Sequence, residues 1–163
     1  MNKSNIQFLL TPLVYIETTV FSFYDTFRTE PEMVAMRNWT REWWQKHRSA
    51  YDAVSSVVVV DELNQGDYEN KEKAVEMALA VEMLSVSNEV LAIAEEYMKR
   101  HLMPKEVAGD ALHLALASYY GCQYLLTWNC KHLANSSKQE HIRHVNTILG
   151  LMVPTITTPM ELL

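Results

Sequence analysis

Glycine and cysteine are scarce in this chain, with four glycines and two cysteines among 163 residues. No loop of the form GxxxxGK[ST] occurs, which argues against a small-molecule phosphohydrolase built on such a phosphate-binding loop. The two cysteines form no disulfide framework, and Cys122, Cys130 and His132 lack the spacing of a zinc site. This cysteine usage fits a protein of the reducing cytosol.

Long apolar runs are also missing. The longest, such as residues 57–60, fall far short of the ~20 residues that cross a bilayer. The start of the chain lacks the basic region and the small-residue cleavage site of a signal peptide. We therefore expect a cytoplasmic protein that has no membrane partner.

Basic residues are outnumbered, since 14 Lys and Arg against 20 Asp and Glu give a net charge of −6. This balance argues against a generic nucleic-acid binder, whose affinity comes mainly from neutralised phosphates. It remains compatible with a nuclease, because a carboxylate-rich metal site adds negative charge. Two local basic patches could hold a substrate or could be solvated helix faces: Arg37, Arg41, Lys46, His47 and Arg48, and Lys131, His132, Lys138, His141, Arg143 and His144.

Short apolar segments alternate with helical patterns along the whole chain. A hydrophobic content of 48% and a charged content of 21% are ordinary for one folded domain over residues 1–163. The predicted strands are 13–16, 51–55, 83–86, 124–127 and 155–157. The first predicted helix is capped by Thr18 or Thr19 and runs through Val20, Phe21 and Tyr24. The other predicted helices are 31–47, one ending near Gly66, 71–80, 88–101, 105–120 and 138–149. This alternation predicts an α/β fold, a three-layer α/β/α arrangement around a parallel sheet of about four or five short strands.

Acidic residues follow the predicted strands or open the helices next to them. Glu17 follows the first strand, Glu62 lies on the helix after the second, and Asp110 opens a later helix. Asn129 stands just beyond the fourth strand. Because the carboxyl ends of parallel strands meet at one crevice, these side chains should converge. Gathered carboxylates repel one another unless a cation lies between them. The pattern therefore predicts a site for a hard divalent metal ion and a phosphate chemistry.

Each of these residues also has a plain structural interpretation. Glu17 could only cap the next helix, Glu62 could be a surface acid, and Asp110 could be only a helix-start acid. Asn129 could be a turn residue. We expect His113, one turn after Asp110, to be a hydrogen-bonded structural histidine.

The helix predicted at 31–47 is rich in aromatic residues. Trp39, Trp43 and Trp44 should lie in the core or on a surface that meets a partner, with stacking on exposed bases as the alternative. Arg28, just before this helix, is expected at the surface, although it could reach a phosphate.

Four segments, in this order, resemble the PIN domain, the fold of VapC-type toxins in toxin–antitoxin pairs. They are VYIETT at 14–19, SVVVVDELNQG at 56–66, DALHLA at 110–115 and LTWNCKHL at 126–133. The resemblance covers nearly the whole chain. It implies a metal-dependent endoribonuclease that hydrolyses RNA phosphodiester bonds, with tRNA as one possible substrate. It also implies a small antitoxin partner and a homodimer.

The resemblance further implies which residues form the site. Glu17, Glu62 and Asp110 match the acids that bind Mg²⁺ or Mn²⁺, and Asn129 falls where many members carry a fourth acid, so all four are candidate catalytic residues. Two positions depart from the family pattern. Glu17 stands where Asp is common, and Asn129 is neutral. These departures leave open an alternative, a catalytically weakened PIN-like module that binds RNA or protein.

Overall fold

The computed structural model describes residues 11–105 and 108–163. The start of the chain, where we found no signal-peptide pattern, and residues 106 and 107 of the helix predicted at 105–120 lie outside the described residues. Within the described ranges, no helix combines the length and the apolar character needed to cross a bilayer.

The centre of the fold is a parallel five-stranded sheet in the order β3-β2-β1-β4-β5. Its strands are β1 (Leu13–Ile16), β2 (Asp52–Ser56), β3 (Glu82–Leu84), β4 (Tyr124–Leu126) and β5 (Thr155–Thr157). In the central strand, Tyr15 pairs with Val54 of β2 and with Leu125 of β4. The strand order runs outward from β1 in both directions, so a crevice opens between the carboxyl ends of β1 and β4.

Seven α-helices within the described residues flank this sheet. They are α1 (Thr18–Tyr24), α2 (Pro31–Glu42), α3 (Val57–Gln65), α4 (Lys71–Leu79), α5 (Asn88–Lys99), α6 (Ala108–Tyr119) and α7 (Ser136–Leu149). The predicted α/β fold with one parallel sheet is confirmed.

Two details of the prediction are wrong. The cap predicted at Thr18 or Thr19 is instead Glu17, whose side chain accepts the backbone N–H of Thr19, which confirms the capping role in its structural interpretation. The α-helix predicted to reach residue 47 ends at Glu42, and the chain continues as a π-helical turn, Trp43–His47, and a 3₁₀ turn, Arg48–Ala50.

The aromatic residues of α2 and the π-helical turn serve the core. Trp43 is fully buried, whereas Trp39 and Trp44 pack against the core while partly exposed. Trp39 stacks on Trp128 with 6.2 Å between ring centroids, and Trp128 Nε1 donates to Thr40 Oγ1 at 2.8 Å. These contacts tie α2 to the segment after β4, which borders the crevice.

The first basic patch makes structural contacts. Arg41 Nε donates to the Tyr24 carbonyl at 2.7 Å, and its guanidinium pairs with Asp25 at 2.5 Å. Arg37 donates to the Thr26 carbonyl at 3.1 Å. These arginines anchor the end of α1, so they are poor candidates for substrate binding.

Candidate metal centre

Glu17 is a buried carboxylate at the carboxyl end of β1. Glu17 is only 3% exposed. Its backbone N–H donates to the Leu126 carbonyl of β4 at 3.0 Å. Oε2 accepts three hydrogen bonds: from the Thr19 N–H at 3.0 Å, Thr19 Oγ1 at 2.5 Å and Thr127 Oγ1 at 2.8 Å. Oε1 accepts none from the described residues. One oxygen is therefore fixed by the protein and the other remains available as a ligand.

Glu62 reaches the same crevice from α3. Its Oε2 accepts a hydrogen bond from Thr18 Oγ1, the residue after Glu17. The carboxylate is half-buried and faces His113, whose Nε2 lies 3.0 Å from Oε2 and 3.2 Å from Oε1. Glu62 is therefore held between α1 and α6.

His113 is fully buried on α6 and makes two polar contacts. Besides Glu62, it contacts the Tyr15 hydroxyl through Nδ1 at 2.8 Å, and this hydroxyl lies 2.8 Å from Ser56 Oγ. Nε2 also lies 4.0 Å from Glu17 Oε1. The chain of contacts fixes the ring orientation, so that Nε2 faces both carboxylates.

These three residues could hold a metal ion. One ligand atom each from Glu17, Glu62 and His113 lies within 4.8 Å of the other two. The burial of Glu17 supports this, because a buried carboxylate whose Oε1 accepts no hydrogen bond from the described residues is costly unless a cation compensates its charge. Two carboxylates and an imidazole are a donor set that fits a divalent ion.

Asp110 and Asn129 form a pair at the edge of this group. Asn129 Nδ2 donates to Asp110 Oδ1 at 3.0 Å, and Asn129 Oδ1 accepts the His132 N–H at 3.1 Å. The backbone N–H of Asn129 donates to Thr127 Oγ1 at 2.9 Å, the hydroxyl that also binds Glu17. Asp110 does not belong to the tight group of three ligand atoms, and Asn129 orients it.

Burial and the neighbouring charges shift the pKa values of the group in different directions. Burial raises the pKa of Glu17, against the opposing effects of His113, Thr19 and Thr127. Burial also raises the pKa of Asp110, against the effects of His113, Asn129 and His132. Both carboxyls therefore hold a proton to a higher pH than ordinary acids do.

Glu62 and His113 each shift the pKa of the other towards its charged form. Burial alone would raise the pKa of Glu62, but the hydrogen bond and the charge of His113, with the hydrogen bond from Thr18, bring it below the usual value. Burial alone would lower the pKa of His113, yet Glu62, Glu17 and Asp110 together raise it. Without metal, a protonated His113 accordingly compensates the ionised Glu62.

Gly109 is needed where Glu62 approaches α6. A Cβ atom at this position would clash with Oε1 of Glu62. Any larger residue would therefore displace the carboxylate from its place beside His113.

The structure places Glu17 and Glu62 together, with Asp110 and Asn129 paired at the edge of this group. It adds His113, for which the sequence predicted a structural role, as a third group able to bind metal. His113 is hydrogen-bonded as expected, and its position one turn after Asp110 was the signal for its place in the site. The supporting threonines, Thr18, Thr19 and Thr127, were not predicted as site residues, although the first two directly follow Glu17. No protein-family model matches the chain, and no curated protein does either.

Proposed function

We propose that this protein is a divalent-metal-dependent endoribonuclease. The observation that carries the proposal is the buried carboxylate of Glu17, whose Oε1 has no donor among the described residues, grouped with Glu62 and His113 within 4.8 Å. The PIN-like motifs contain all three residues, and the parallel sheet is the fold that those motifs imply.

Glu17, Glu62 and His113 would hold the ion, with Asp110 beside them. Mg²⁺ or Mn²⁺ bound there would polarise a phosphoryl oxygen and lower the pKa of a bound water. An imidazole nitrogen suits Mn²⁺ better than Mg²⁺, which prefers oxygen ligands and bound waters. We therefore propose Mn²⁺ as the preferred ion.

The remaining residues have supporting roles in this proposal. Thr19 and Thr127 fix Oε2 of Glu17, and the contact of Tyr15 with His113 Nδ1 leaves Nε2 directed at the carboxylates. Asp110, oriented by Asn129, would accept the proton of the attacking water. Its raised pKa suits a group that must bind a proton during turnover.

The resemblance to VapC-type toxins also supplies a proposed substrate and proposed partners. The substrate would be cytoplasmic RNA, with tRNA as one candidate, and a small antitoxin would cover part of the crevice. We also propose a homodimer, on the same resemblance alone. The aromatic residues of α2 lend it no support, because they pack within the protomer.

The direct test is cleavage of a mixed pool of tRNA and structured RNA by purified protein. It is run with Mn²⁺, with Mg²⁺ and with EDTA, alongside Asp110→Asn and Glu62→Gln. Cleavage that requires metal and disappears in both variants, while their far-UV circular dichroism stays unchanged, supports the proposal. Mn²⁺ binding is followed separately by electron paramagnetic resonance, because the signal of free Mn²⁺ decreases when the ion binds.

One observation favours the alternative, a weakened PIN-like binding module. Asn129 supplies no charge, and its amide occupies one oxygen of Asp110. A protein that binds Mn²⁺ in the resonance experiment but leaves every RNA intact would be assigned to this alternative.

A further inference from the structure

A cavity of about 410 Å³ adjoins the metal centre and takes no part in the site described above. It lies between α1, α3 and the segment that follows α3, and Thr18 and Glu62 form the wall that it shares with the centre. Its volume is within the range of pockets that bind small ligands. If a phosphate of a linear polymer lies at the candidate metal centre, the adjacent residue of that polymer can therefore occupy this cavity.

Two aromatic side chains line the cavity, Phe23 and Tyr68. Both are half-buried, so each keeps part of its ring surface exposed. Tyr68 lies directly against Gly66, where a Cβ atom would come within 2.6 Å of the ring. Within the described part of the chain, the buried Tyr68 hydroxyl has no hydrogen-bond partner. The rings of Phe23 and Tyr68 could therefore stack against an aromatic ligand in the cavity.

One cation, Arg28, also lines the cavity. Its guanidinium makes a weak contact with Met33 Sδ at 3.8 Å, and among residues 11–105 and 108–163 no carboxylate pairs with it. By contrast, Arg41 and Lys73 on the same side of the molecule both pair with Asp25. Asp67 and Glu62 also line the cavity, but neither forms an ion pair with Arg28, so its guanidinium remains available for bidentate binding of a phosphate.

We propose that this cavity binds the nucleotide next to the scissile phosphate of a single-stranded RNA. The base lies against Phe23 and Tyr68, and the next phosphate pairs with Arg28. A base can enter only when it is unstacked, so loops and single strands are bound and paired helices are not. This inference rests on the proposed nuclease function for the placement of the scissile phosphate.

Binding is measured by fluorescence anisotropy with a short, fluorescein-labelled oligouridine in Mn²⁺. All proteins carry Asp110→Asn so that the RNA stays intact, as checked on a gel. Arg28→Ala should weaken binding about tenfold and reduce the slope of log affinity against log salt by about 0.7, the value for one phosphate contact in single-stranded RNA. Arg100→Ala is the matched control, because it removes the same charge from an exposed residue paired with Glu96 outside the cavity.

A second variant, Gly66→Ala, tests the stacking surface without a change of charge. Gly66 has φ −67° and ψ 144°, which alanine adopts without strain, so the main effect is displacement of the Tyr68 ring. We expect about a tenfold loss of affinity and an unchanged salt slope. Irradiation of oligouridine that contains 4-thiouridine should attach it to Phe23 or Tyr68, as identified by peptide mass spectrometry.

The outcomes separate this inference from the proposed function when cleavage by the wild-type chain is measured in parallel. RNA binding that depends on Arg28 and Gly66, without cleavage of any RNA, would support nucleotide binding in the cavity and overturn the nuclease function. If the wild-type chain cleaves RNA with metal, but Arg28→Ala and Gly66→Ala bind RNA as tightly as Arg100→Ala, the nuclease function is supported and nucleotide binding in the cavity is overturned. Neither binding nor cleavage would overturn both.

Discussion

Replacing Glu17 by glutamine should make the metal-free protein more stable while it abolishes metal binding. The amide keeps the shape of the side chain, and its carbonyl oxygen can accept the three hydrogen bonds that Oε2 now receives from Thr19 and Thr127. The helix cap is thereby preserved. What the substitution removes is a negative charge within 4.8 Å of the Glu62 carboxylate.

The size of the effect follows from the burial of the Glu17 charge. Its repulsion from Glu62, within 4.8 Å, is about 3 kcal/mol at an effective dielectric constant near 20, and its attraction to a protonated His113, whose Nε2 lies 4.0 Å from Oε1, is about 4 kcal/mol, so the two nearly cancel. What remains is the cost of burying an ion, most of which the hydrogen bonds from Thr19 and Thr127 offset. We therefore expect a gain of about 1–2 kcal/mol in the free energy of unfolding without metal, or about 3–6 °C in melting temperature.

The gain should depend on pH with a definite sign. Burial raises the pKa of Glu17 in the folded protein. A carboxyl whose pKa is raised on folding contributes stability below the pKa that it has in the unfolded chain, and this contribution is lost as the pH rises through its pKa in the folded protein. Glutamine removes that loss, so the difference between Glu17→Gln and wild type should be largest near neutral pH and vanish near about pH 4.

The assay is thermal unfolding in EDTA and in Mn²⁺, with Glu95→Gln as the control. Glu95 is an exposed acid on α5, and its replacement changes the net charge equally without touching the site. Mn²⁺ should stabilise the wild type and the control but not Glu17→Gln. A variant that is no more stable than the wild type in EDTA and still gains stability from Mn²⁺ would refute the reasoning, since the Glu17 charge would then neither destabilise the free protein nor bind the ion.

Three further substitutions or conditions test the geometry of the site. Gly109→Ala should push the Glu62 carboxylate away by about 1 Å and weaken Mn²⁺ binding up to about a hundredfold; calorimetry measures this, and unchanged affinity would contradict the close approach. Asn129→Asp should place a second carboxylate about 3 Å from Asp110 and lower the melting temperature in EDTA at neutral pH. The melting temperature should recover in acid, because the two carboxylates then share a proton. A melting temperature unaffected by pH would argue against the contact. Mn²⁺ affinity should rise with pH up to and beyond the ordinary histidine pKa, because the proposed ligands Glu17 and His113 have raised pKa values and the ion competes with their protons. Calorimetry in buffers of different ionisation enthalpy should detect proton release, and its absence would count against His113 as a ligand.

Most of the fold could be predicted from the sequence because its elements are short and strongly patterned. The strand at 13–16 and that at 155–157 were predicted with the bounds that the structure shows. The helix after the second strand was also predicted, although its residues 57–60 are four consecutive valines. The order of strands in the sheet was not predicted, because it depends on packing between distant segments and not on local periodicity.

The two errors in the fold have local physical causes. Threonine is a better cap than glutamate by intrinsic preference, but Glu17 is the residue with extended backbone angles, φ −85° and ψ 162°. Its longer side chain can turn back to the Thr19 N–H. The π-helical turn at Trp43–His47 coincides with the burial of Trp43, a tertiary contact that helical spacing alone does not reveal.

The candidate site residues were predicted from the convergence of strand ends and from the family resemblance, and the convergence rule has a limit. It identifies residues that share the crevice but does not say which of them touch. Asp110 was predicted to bind metal with Glu17 and Glu62, yet its Oδ1 accepts a hydrogen bond from Asn129. The closer partner of the two glutamates is His113, which is 51 positions from Glu62 in sequence.

His113 connects the candidate metal centre to the interior of the sheet, and this connection explains how two acids coexist there. Tyr15 lies in the central strand, and its hydroxyl contacts both Ser56 and His113. The imidazole in turn faces Glu62 and Glu17. A fully buried ring that is positioned from the core can be protonated when the ion is absent and can offer Nε2 when it is present. The same residue thus limits the repulsion between the carboxylates in the free protein and completes the ligand set in the proposed metal-bound one.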